Sequence, residues 1–338
     1  MKGMTQSQMS KSRITAYGEF TRVRMEMAFP LRWENSYVLQ GEDGWTVVDP
    51  GPRSPENEAA WDGALNELGI RATDISSIVL THHHPDHYGL SGWLQQRSEA
   101  QVWMSKAASE AAWRNWGSAQ QESGTNGFVE ASIALCRLHG MEPERLAQLP
   151  AHLEGFLPQV DPQPEISVIE PGLPIRFGGR LWHPIETGGH AEGHLSFYEE
   201  ATGVILCGDA VLPRISPNIS YSPGGDEHPL RSYLNGLRTL GALKVTRAFP
   251  GHRDPFENFP ERTVQLLEHH EQRLARMEEL LQGGPRSAYE ICISLFGDSL
   301  GIHQLRFALS ETIAHLVELE DRGRATRHGE REVRFGLK

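Results

Sequence analysis

Four short apolar runs of this chain each lead into histidine or aspartate side chains, and this repetition is the feature that most constrains its fold. The first run continues into "THHHPDHYG", and the later runs end in "ETGGH", "VILCGD" and "AFPGH". Strand ends hold side chains rigidly, and the adjacent glycines permit sharp backbone turns that can aim those side chains into one cleft. The pattern therefore predicts one shared polar site at the ends of several β-strands.

The side chains at these strand ends are of the types that bind zinc and related metals. The candidate ligands are His82, His84, Asp86, His87, His190, Asp209 and His252. His82 and His84 can project together from an extended segment, whereas Asp86 and His87 point elsewhere after the bend at Pro85. One tract can therefore supply ligands to two metal ions, which in two-metal sites typically lie about 3.5–4 Å apart. The alternative is a histidine-rich surface loop without a metal.

Strand-rich and helix-rich segments alternate along residues 14–260, which we predict to be the catalytic domain. "NSYVLQG" and "GWTVVDPG" indicate a hairpin, and a helix is expected to begin at Ser54 and Pro55 and to end at Gly69. Residues 105–160 have a helical composition and are interpreted as an insertion, after which strand-like runs return. The order indicates an α/β fold with two β-sheets covered by helices.

Residues 261–338 are predicted to form a separate, small domain. A long amphipathic helix is expected from about 261 to 281, and Ser287 with Glu290 is a capping-box signature for a second helix. The tail is expected to form a hairpin that turns at His328 and Gly329. Helices followed by a terminal hairpin resemble a winged helix.

Composition restricts the class of protein. The 32 Lys and Arg residues against 44 Asp and Glu residues give a net charge of −12, which opposes extended binding to nucleic acid. The three cysteines show no CxxC spacing and indicate a reducing compartment. No apolar run approaches the length of a membrane span. A cytoplasmic protein that does not bind membranes is expected.

The ligand pattern resembles that of the metallo-β-lactamase superfamily over about residues 20–260. Its HxHxDH motif is matched by His82, His84, Asp86 and His87, and its later histidine, bridging aspartate and last histidine are matched by His190, Asp209 and His252. The resemblance implies an αββα sandwich with two divalent metal ions, expected to be zinc, with iron or manganese as alternatives. It implies that His82, His84 and His190 hold one ion, that Asp86, His87 and His252 hold the other, and that Asp209 bridges them. Asp49 would have a supporting role near the site.

The implied reaction is hydrolysis by a metal-bound hydroxide, with Asp86 and Asp209 as the catalytic carboxylates. Asp86 could orient the hydroxide and relay a proton to the leaving group. The expected substrate is a small-molecule ester, thioester or lactone. Leu212 stands where similar acyl-homoserine lactonases carry tyrosine, which weakens the lactonase interpretation. The pattern that follows the bridging aspartate in glyoxalase II-like enzymes is absent, so a glutathione thioester is not favoured.

Two features leave alternatives open. The aromatic side chains Trp113, Trp116, Phe128 and Phe156 of the insertion form either a lid over the cleft or the insertion's own core. Members of the superfamily with a winged-helix-like C-terminal segment act on RNA, and four arginines on the terminal hairpin could contact phosphates: Arg324, Arg327, Arg331 and Arg334. The same segment could serve a homodimer. A binding protein without activity is a third alternative, although such proteins usually lose ligands. His83 is expected to point between its ligand neighbours, and His194 could support the site. The eight histidines without matching partners, His303 among them, are expected to be structural or solvent-facing.

Overall fold

Two β-sheets packed face to face form the centre of the molecule in a computed structural model that describes residues 13–27, 31–117 and 127–338. The first sheet has the order β1 to β7 and is antiparallel up to β4 and parallel beyond it. Its strands are β1 Ile14–Tyr17, β2 Phe20–Glu26, β3 Trp33–Gly41, β4 Gly44–Val48, β5 Ile75–Val79, β6 Gln101–Ser105 and β7 Ile166–Ile169.

The second sheet has the order β12-β11-β10-β9-β8, and its one parallel pair is β11 with β12. Its strands are β8 Ile175–Phe177, β9 Arg180–Glu186, β10 Leu195–Glu199, β11 Val204–Gly208 and β12 Arg247–Pro250. Large side chains fill the space between the sheets. The ring of Phe20 stacks on that of Phe249 at 4.4 Å, and Phe177 stacks on Trp182 at 5.0 Å.

Helices cover the outer faces of both sheets. The first sheet carries α1 Pro55–Leu68, α2 Pro85–Tyr88 and α3 Ser91–Ser98, with a 3-10 turn at Ala72–Asp74. The second sheet carries α8 Pro229–Gly241 and α9 Phe259–Leu281. The predicted start and end of α1 are confirmed, because Ser54 Oγ accepts from Asn57 N and Gly69 adopts a φ of 68°. The predicted α/β fold with two helix-covered sheets is confirmed.

The predicted insertion is helical where the structure describes it. Its elements are α4 Lys106–Trp116, α5 Gly127–Leu138, α6 Pro143–Leu146, α7 Leu149–Glu154 and a 3-10 turn at Leu157–Gln159. Residues 118–126 of the insertion lie outside the described part of the chain. Side chains of α5 and α7 share a buried cluster with the C-terminal helices. The insertion is therefore packed against the C-terminal region.

The C-terminal region has two further helices and a small sheet. The helices are α10 Ala288–Phe296 and α11 Ile302–Asp321, and the sheet has the order β13-β15-β14. β13 spans Arg286–Ser287, and the predicted hairpin consists of β14 Ala325–His328 and β15 Arg334–Leu337. The capping box before α10 is present, since Ser287 and Glu290 exchange both side-chain to backbone hydrogen bonds. The winged-helix description and the boundary at 260–261 stay predictions.

Several elements were not expected from sequence. They include the strand pair β1 and β2, which precedes the predicted hairpin, and the short strand β8 and the helix α8, which lie between predicted strands. α8 is amphipathic and buries one face, which includes Tyr233 and Leu237, against the second sheet. No helix within the described ranges has both the length and the apolar character needed to cross a membrane.

Candidate metal centre

The seven predicted ligands converge on one edge of the two-sheet core. His82 and His84 follow β5, His190 follows β9, Asp209 follows β11 and His252 follows β12. At this edge the structure forms three groups whose candidate ligand atoms lie within 4.8 Å of one another. The groups are His82, His84 and His190; Glu34, Asp86, His87 and His252; and His82, His87 and Asp209.

Asp209 lies between the first two groups. Its Oδ1 is 3.6 Å from Nε2 of His87, and its Oδ2 is 3.6 Å from Nε2 of His190 and 3.2 Å from Nε2 of His252. Asp86 reaches the same area, with Oδ2 3.4 Å from Nε2 of His252. One carboxylate thus faces both groups of histidines, which is the arrangement that a bridging ligand requires.

Two glycines beside the ligands are required by the packing of the site. A Cβ at Gly251 would lie 2.4 Å from Asp209 Oδ1 and 2.6 Å from Cε1 of His87. Gly208 has a φ of 47°, and a Cβ there would lie 2.6 Å from Nε2 of His194. Close approach of the backbone to the site therefore requires glycine at both positions, and the positive φ of Gly208 agrees with the predicted sharp turn.

Asp49 forms contacts with two residues of the segment 81–87, which carries the first four candidate ligands. Its Oδ1 accepts from Thr81 N at 2.8 Å, its Oδ2 accepts from Thr81 Oγ1 at 2.7 Å, and Oδ2 is 3.0 Å from Nδ1 of His87. A carboxylate on the second nitrogen of a histidine fixes the ring orientation and raises its basicity as a ligand. This contact agrees with the supporting role expected of Asp49.

Glu34 is a member of the site that sequence reasoning missed. It is fully buried at the start of β3, and Oε1 lies 3.2 Å from Nδ1 of His87 while Oε2 lies 3.0 Å from Nδ1 of His252. Burial raises the pKa of Glu34 to about 8, against the opposing effect of the two histidines. A charged residue inside the strand-like run "WENSYVLQ" was the available signal.

Backbone and side-chain contacts hold the other histidines. His190 Nδ1 lies 2.8 Å from the carbonyl oxygen of Asn218. Nε2 of His194 accepts from Asp209 N at 3.1 Å, and its Nδ1 lies 2.7 Å from Thr187 Oγ1. His194 therefore positions the backbone of the central aspartate.

The atoms that face one another suit divalent cations. His87 Nε2, His190 Nε2 and Asp209 Oδ1 are buried without a hydrogen-bond partner in the described part of the chain. Buried polar atoms are rarely left unpaired, so a bound cation would satisfy the atoms of this cluster. Imidazole nitrogens with carboxylate oxygens are a donor set typical of zinc, with iron and manganese compatible. The donor set fits metal ions, whose identity it leaves open.

Burial and charge divide the histidines into two kinds. Burial holds the pKa of His82 and His84 well below the usual value, so both rings are neutral and able to bind a metal. Burial lowers the pKa of His252 as well, but Asp209 and Glu34 outweigh it and raise that pKa well above the usual value. A metal ion that binds there displaces a proton.

Five of the seven candidate ligands lie in the wall of a cavity of about 910 Å³. His84, Asp86, His190, Asp209 and His252 line it, and residues of the insertion, the 212–226 loop and α11 complete the wall. His303, for which the sequence predicted a structural or surface position, also lines the cavity. A volume of this size fits a small-molecule substrate.

The aromatic side chains of the insertion differ in burial and in their position relative to the cavity. Trp116 is buried, lines the cavity, and packs against Phe128 and Phe156 at 5.8 and 6.4 Å between ring centroids. Its Nε1 donates to the carbonyl oxygen of His83 at 3.1 Å. Trp113 is 59% exposed and is not part of the cavity wall. Trp116, Phe128 and Phe156 therefore line the cavity beside residues 82–87, which we call the metal-ligand loop.

Carboxylates partner most of the C-terminal arginine group. Arg324 pairs with Glu278, Arg327 with Glu320 at 2.5 Å, and Arg334 with Glu290 at 2.6 Å. These charges are therefore balanced within the chain.

Comparison with known proteins agrees with this geometry. Residues 33–252 match the metallo-beta-lactamase superfamily, and residues 274–337 match the metallo-beta-lactamase-like C-terminal domain. The chain is 27% identical to the probable metallo-hydrolase YqjP of Bacillus subtilis, over 84% of this chain and 86% of that protein.

A solved structure is similar over the whole length. The metallo-beta-lactamase family protein TTHA1429 from Thermus thermophilus superposes with a TM-score of 0.81 at 32% identity, over 95% of this chain and 99% of that chain. The atrochrysone carboxyl ACP thioesterase of Passalora fulva is 22% identical over 84% of this chain and 69% of that protein. The chain belongs to the metallo-beta-lactamase superfamily and is a metallo-hydrolase of that family with its C-terminal domain.

Proposed function

We propose that this protein uses two divalent metal ions, zinc in the first place, to hydrolyse a small-molecule ester, thioester or lactone. The observation that carries the proposal is the position of Asp209 between two groups of histidine ligands in the wall of a large cavity. In this proposal His82, His84 and His190 hold one ion, and Asp86, His87 and His252 hold the other. Asp209 is shared between them.

When bound, divalent ions lower the pKa of water from about 15.7 to about 7 and polarise a substrate carbonyl. The chain's own residues complete the reaction. Asp86 lines the cavity with a side chain that is 22% exposed. Burial opposes ionisation of Asp86, but His87 and His252 hold its pKa below the usual value. Its carboxylate can therefore accept a hydrogen bond from the attacking water and pass a proton to the leaving group.

Thioesters are the first substrates to test. The name of the Passalora fulva relative describes a thioesterase that acts on an acyl carrier protein substrate. The aromatic wall formed by Trp116, Phe128 and Phe156 suits an acyl group with a ring or a long apolar chain. These observations favour an apolar acyl group over a small polar one.

A ribonuclease is the alternative, and the ion pairs of the C-terminal arginines weaken it. An arginine already paired with a glutamate gives less free energy on contact with phosphate, because that pair must be broken. The alternative predicts loss of RNA cleavage when Arg324, Arg327, Arg331 and Arg334 are replaced. We expect instead that small-molecule turnover is nearly unchanged in this fourfold variant.

The deciding experiment is a substrate panel on metal-loaded protein. Aryl esters, acyl thioesters, lactones and single-stranded RNA are tested with wild type and Asp86→Asn. We expect turnover of one of the first three classes of substrate. The turnover rate should be about 10²- to 10⁴-fold lower in the variant. RNA cleavage that disappears in Asp86→Asn, without turnover of any small molecule, would reverse the ranking. Metal content of both proteins is measured to separate loss of chemistry from loss of metal.

Three further predictions accompany the function. The partner is a small-molecule substrate rather than nucleic acid, the chain can form a homodimer through its C-terminal segment, and the protein is cytoplasmic. The three cysteines are free and buried, as a reducing compartment allows. Mass measurement in solution tests the dimer.

A further inference from the structure

One charged side chain of the cavity wall, that of Arg306, makes no hydrogen bond or ion pair with the other residues that the structure describes. Arg306 lies on α11, in the C-terminal domain, and lines the same cavity as the metal ligands. Its Nε is buried and finds no hydrogen-bond partner among the residues that the structure describes. A buried donor of this kind is unfavourable when no acceptor faces it.

The other arginines of the cavity wall are neutralised. Arg53 Nε lies 2.8 Å from Glu58 Oε1, and Arg114 pairs with Glu192 at 2.6 Å. Within the described ranges, Arg306 forms no such pair with a carboxylate of this chain. A positive charge that faces a cavity without a counter-charge is a site for an anion supplied by a ligand.

Aromatic rings surround this charge. The guanidinium carbon of Arg306 lies 4.1 Å from the ring centroid of Phe307 and 5.7 Å from that of Phe156. The rings stabilise the cation. A charge-assisted hydrogen bond is stronger in such a low-dielectric setting than in water.

The same wall connects Arg306 to the metal-ligand loop. Trp116 donates to the backbone of His83, which stands between His82 and His84, and its ring lies 6.4 Å from that of Phe156. Phe156 in turn faces Arg306. One ligand can therefore touch the metal site with its scissile bond, the aromatic wall with its body, and Arg306 with its remote end.

Neighbouring groups leave the charge of Arg306 intact. Burial lowers the pKa of the Arg306 guanidinium to about 10, so the side chain is still protonated at neutral pH. Burial also lowers the pKa of His303 to about 4, so that ring adds no charge. Among the described residues that line the cavity near Phe156 and Phe307, Arg306 is therefore the one cation.

We propose that the substrate carries a carboxylate remote from the scissile bond and that Arg306 binds this carboxylate. The inference rests on the proposed hydrolase function and adds a substrate class to it. It makes Arg306 a specificity-determining residue that the C-terminal domain supplies to the catalytic domain. Arginine suits this role because its planar donors match both oxygens of a carboxylate.

The first test compares charged and neutral substrates on metal-loaded protein. The probes are two pairs of aryl thioesters, and in each pair one member carries a para carboxylate and the other a neutral para carboxamide. The substituent lies on the acyl side in one pair and on the thiol side in the other. In wild type we expect kcat/KM to favour the carboxylate by about 10- to 100-fold in one of the two pairs. Arg306→Gln should remove that preference and leave the carboxamide within about threefold.

Controls separate recognition from a structural effect. Arg306→Lys keeps a positive charge and should keep part of the preference, whereas Arg114→Gln removes a cation that already has its own carboxylate and should keep all of it. If Arg306→Gln and Arg306→Lys both lose turnover on every probe, the role of Arg306 is structural. If only Arg306→Gln loses turnover, the role is not structural. A preference that survives in Arg306→Gln would overturn the proposal.

A binding measurement keeps the inference testable even if no thioester is hydrolysed. Calorimetry on metal-loaded protein compares terephthalate with its monoamide, in wild type and in Arg306→Gln. We expect terephthalate to bind about 10- to 100-fold more tightly than the monoamide in wild type and equally in the variant. Equal binding of both compounds by wild type would exclude the carboxylate site, whatever the catalytic activity.

Discussion

Glu34 Oε2 lies 3.0 Å from Nδ1 of His252, and Glu34 Oε1 lies 3.2 Å from Nδ1 of His87. One buried carboxyl group therefore lies against Nδ1 of two histidines, which Asp49 Oδ2 and the carbonyl oxygen of Trp33 also approach at 3.0 and 3.1 Å. Carboxylates in this position hold the ring in place and strengthen it as a ligand.

The first prediction follows from this contact. Glu34→Gln should weaken metal binding by about 10- to 100-fold, because the NH2 group that replaces one carboxyl oxygen cannot accept a hydrogen bond from a histidine Nδ1–H. Competition with a metal chelator measures the affinity. The exposed Glu257 provides the matched control, and Glu257→Gln should bind metal like wild type. Equal affinity of the Glu34 and Glu257 variants would remove the orienting role.

The second prediction concerns the shared ligand. Asp209 contacts His87, His190 and His252, so Asp209→Ala should reduce binding of both metal ions. His252→Ala should mainly reduce binding of one. Elemental analysis of protein purified without added metal should give close to two ions per chain for wild type. Full activity of wild type in excess chelator would contradict the metal-dependent function.

The third prediction uses two tryptophans of one helix. Trp116 lines the cavity and Trp113 is 59% exposed, although both lie on α4. Trp116→Leu should change the preference between long and short acyl substrates by about 10- to 200-fold in relative kcat/KM, since an apolar contact in the pocket is lost. Trp113→Leu should leave that ratio unchanged.

Stability and metal content of both tryptophan variants are measured beside the kinetics. A lower melting temperature for Trp116→Leu with uniform loss of activity on all substrates would mean that the ring serves only the core of the insertion.

The fourth prediction concerns acid stability. His139 is buried, its ring stacks on Phe335 at 6.0 Å, and burial lowers its pKa to about 4. The unfolded chain takes up this proton near pH 6.5, so the folded state loses stability relative to the unfolded state as the pH falls from about 6.5 to about 4. The contribution of His139 is up to about 3 kcal/mol.

His139→Phe keeps the ring stack and cannot titrate. The free energy of unfolding of the variant should therefore fall less between pH 6.5 and 4 than that of wild type, as measured by urea titration at each pH. Parallel pH curves for the two proteins would show that His139 does not contribute.

The sequence by itself determined the chemistry of the site and the local structure that carries it. Histidine and aspartate at strand ends, three of them beside a glycine, were sufficient to predict a metal centre, and the structure brings these residues together. Caps such as Ser54 at α1 were predictable because their hydrogen bonds join residues three positions apart. Local periodicity and capping are encoded in short windows of sequence, which is why these predictions held.

Only the tertiary structure decided which other residues meet the site. Glu34 contacts His252 across more than two hundred positions of sequence, and Arg306 enters the cavity from a helix of the C-terminal domain. The difference between Trp113 and Trp116 depends on which face of α4 packs against the metal-ligand loop. Such contacts arise when distant elements pack around a shared cavity, and no short stretch of sequence contains both partners. The physical reason is that burial and counter-charge are properties of the assembled fold, whereas spacing and residue type belong to the chain.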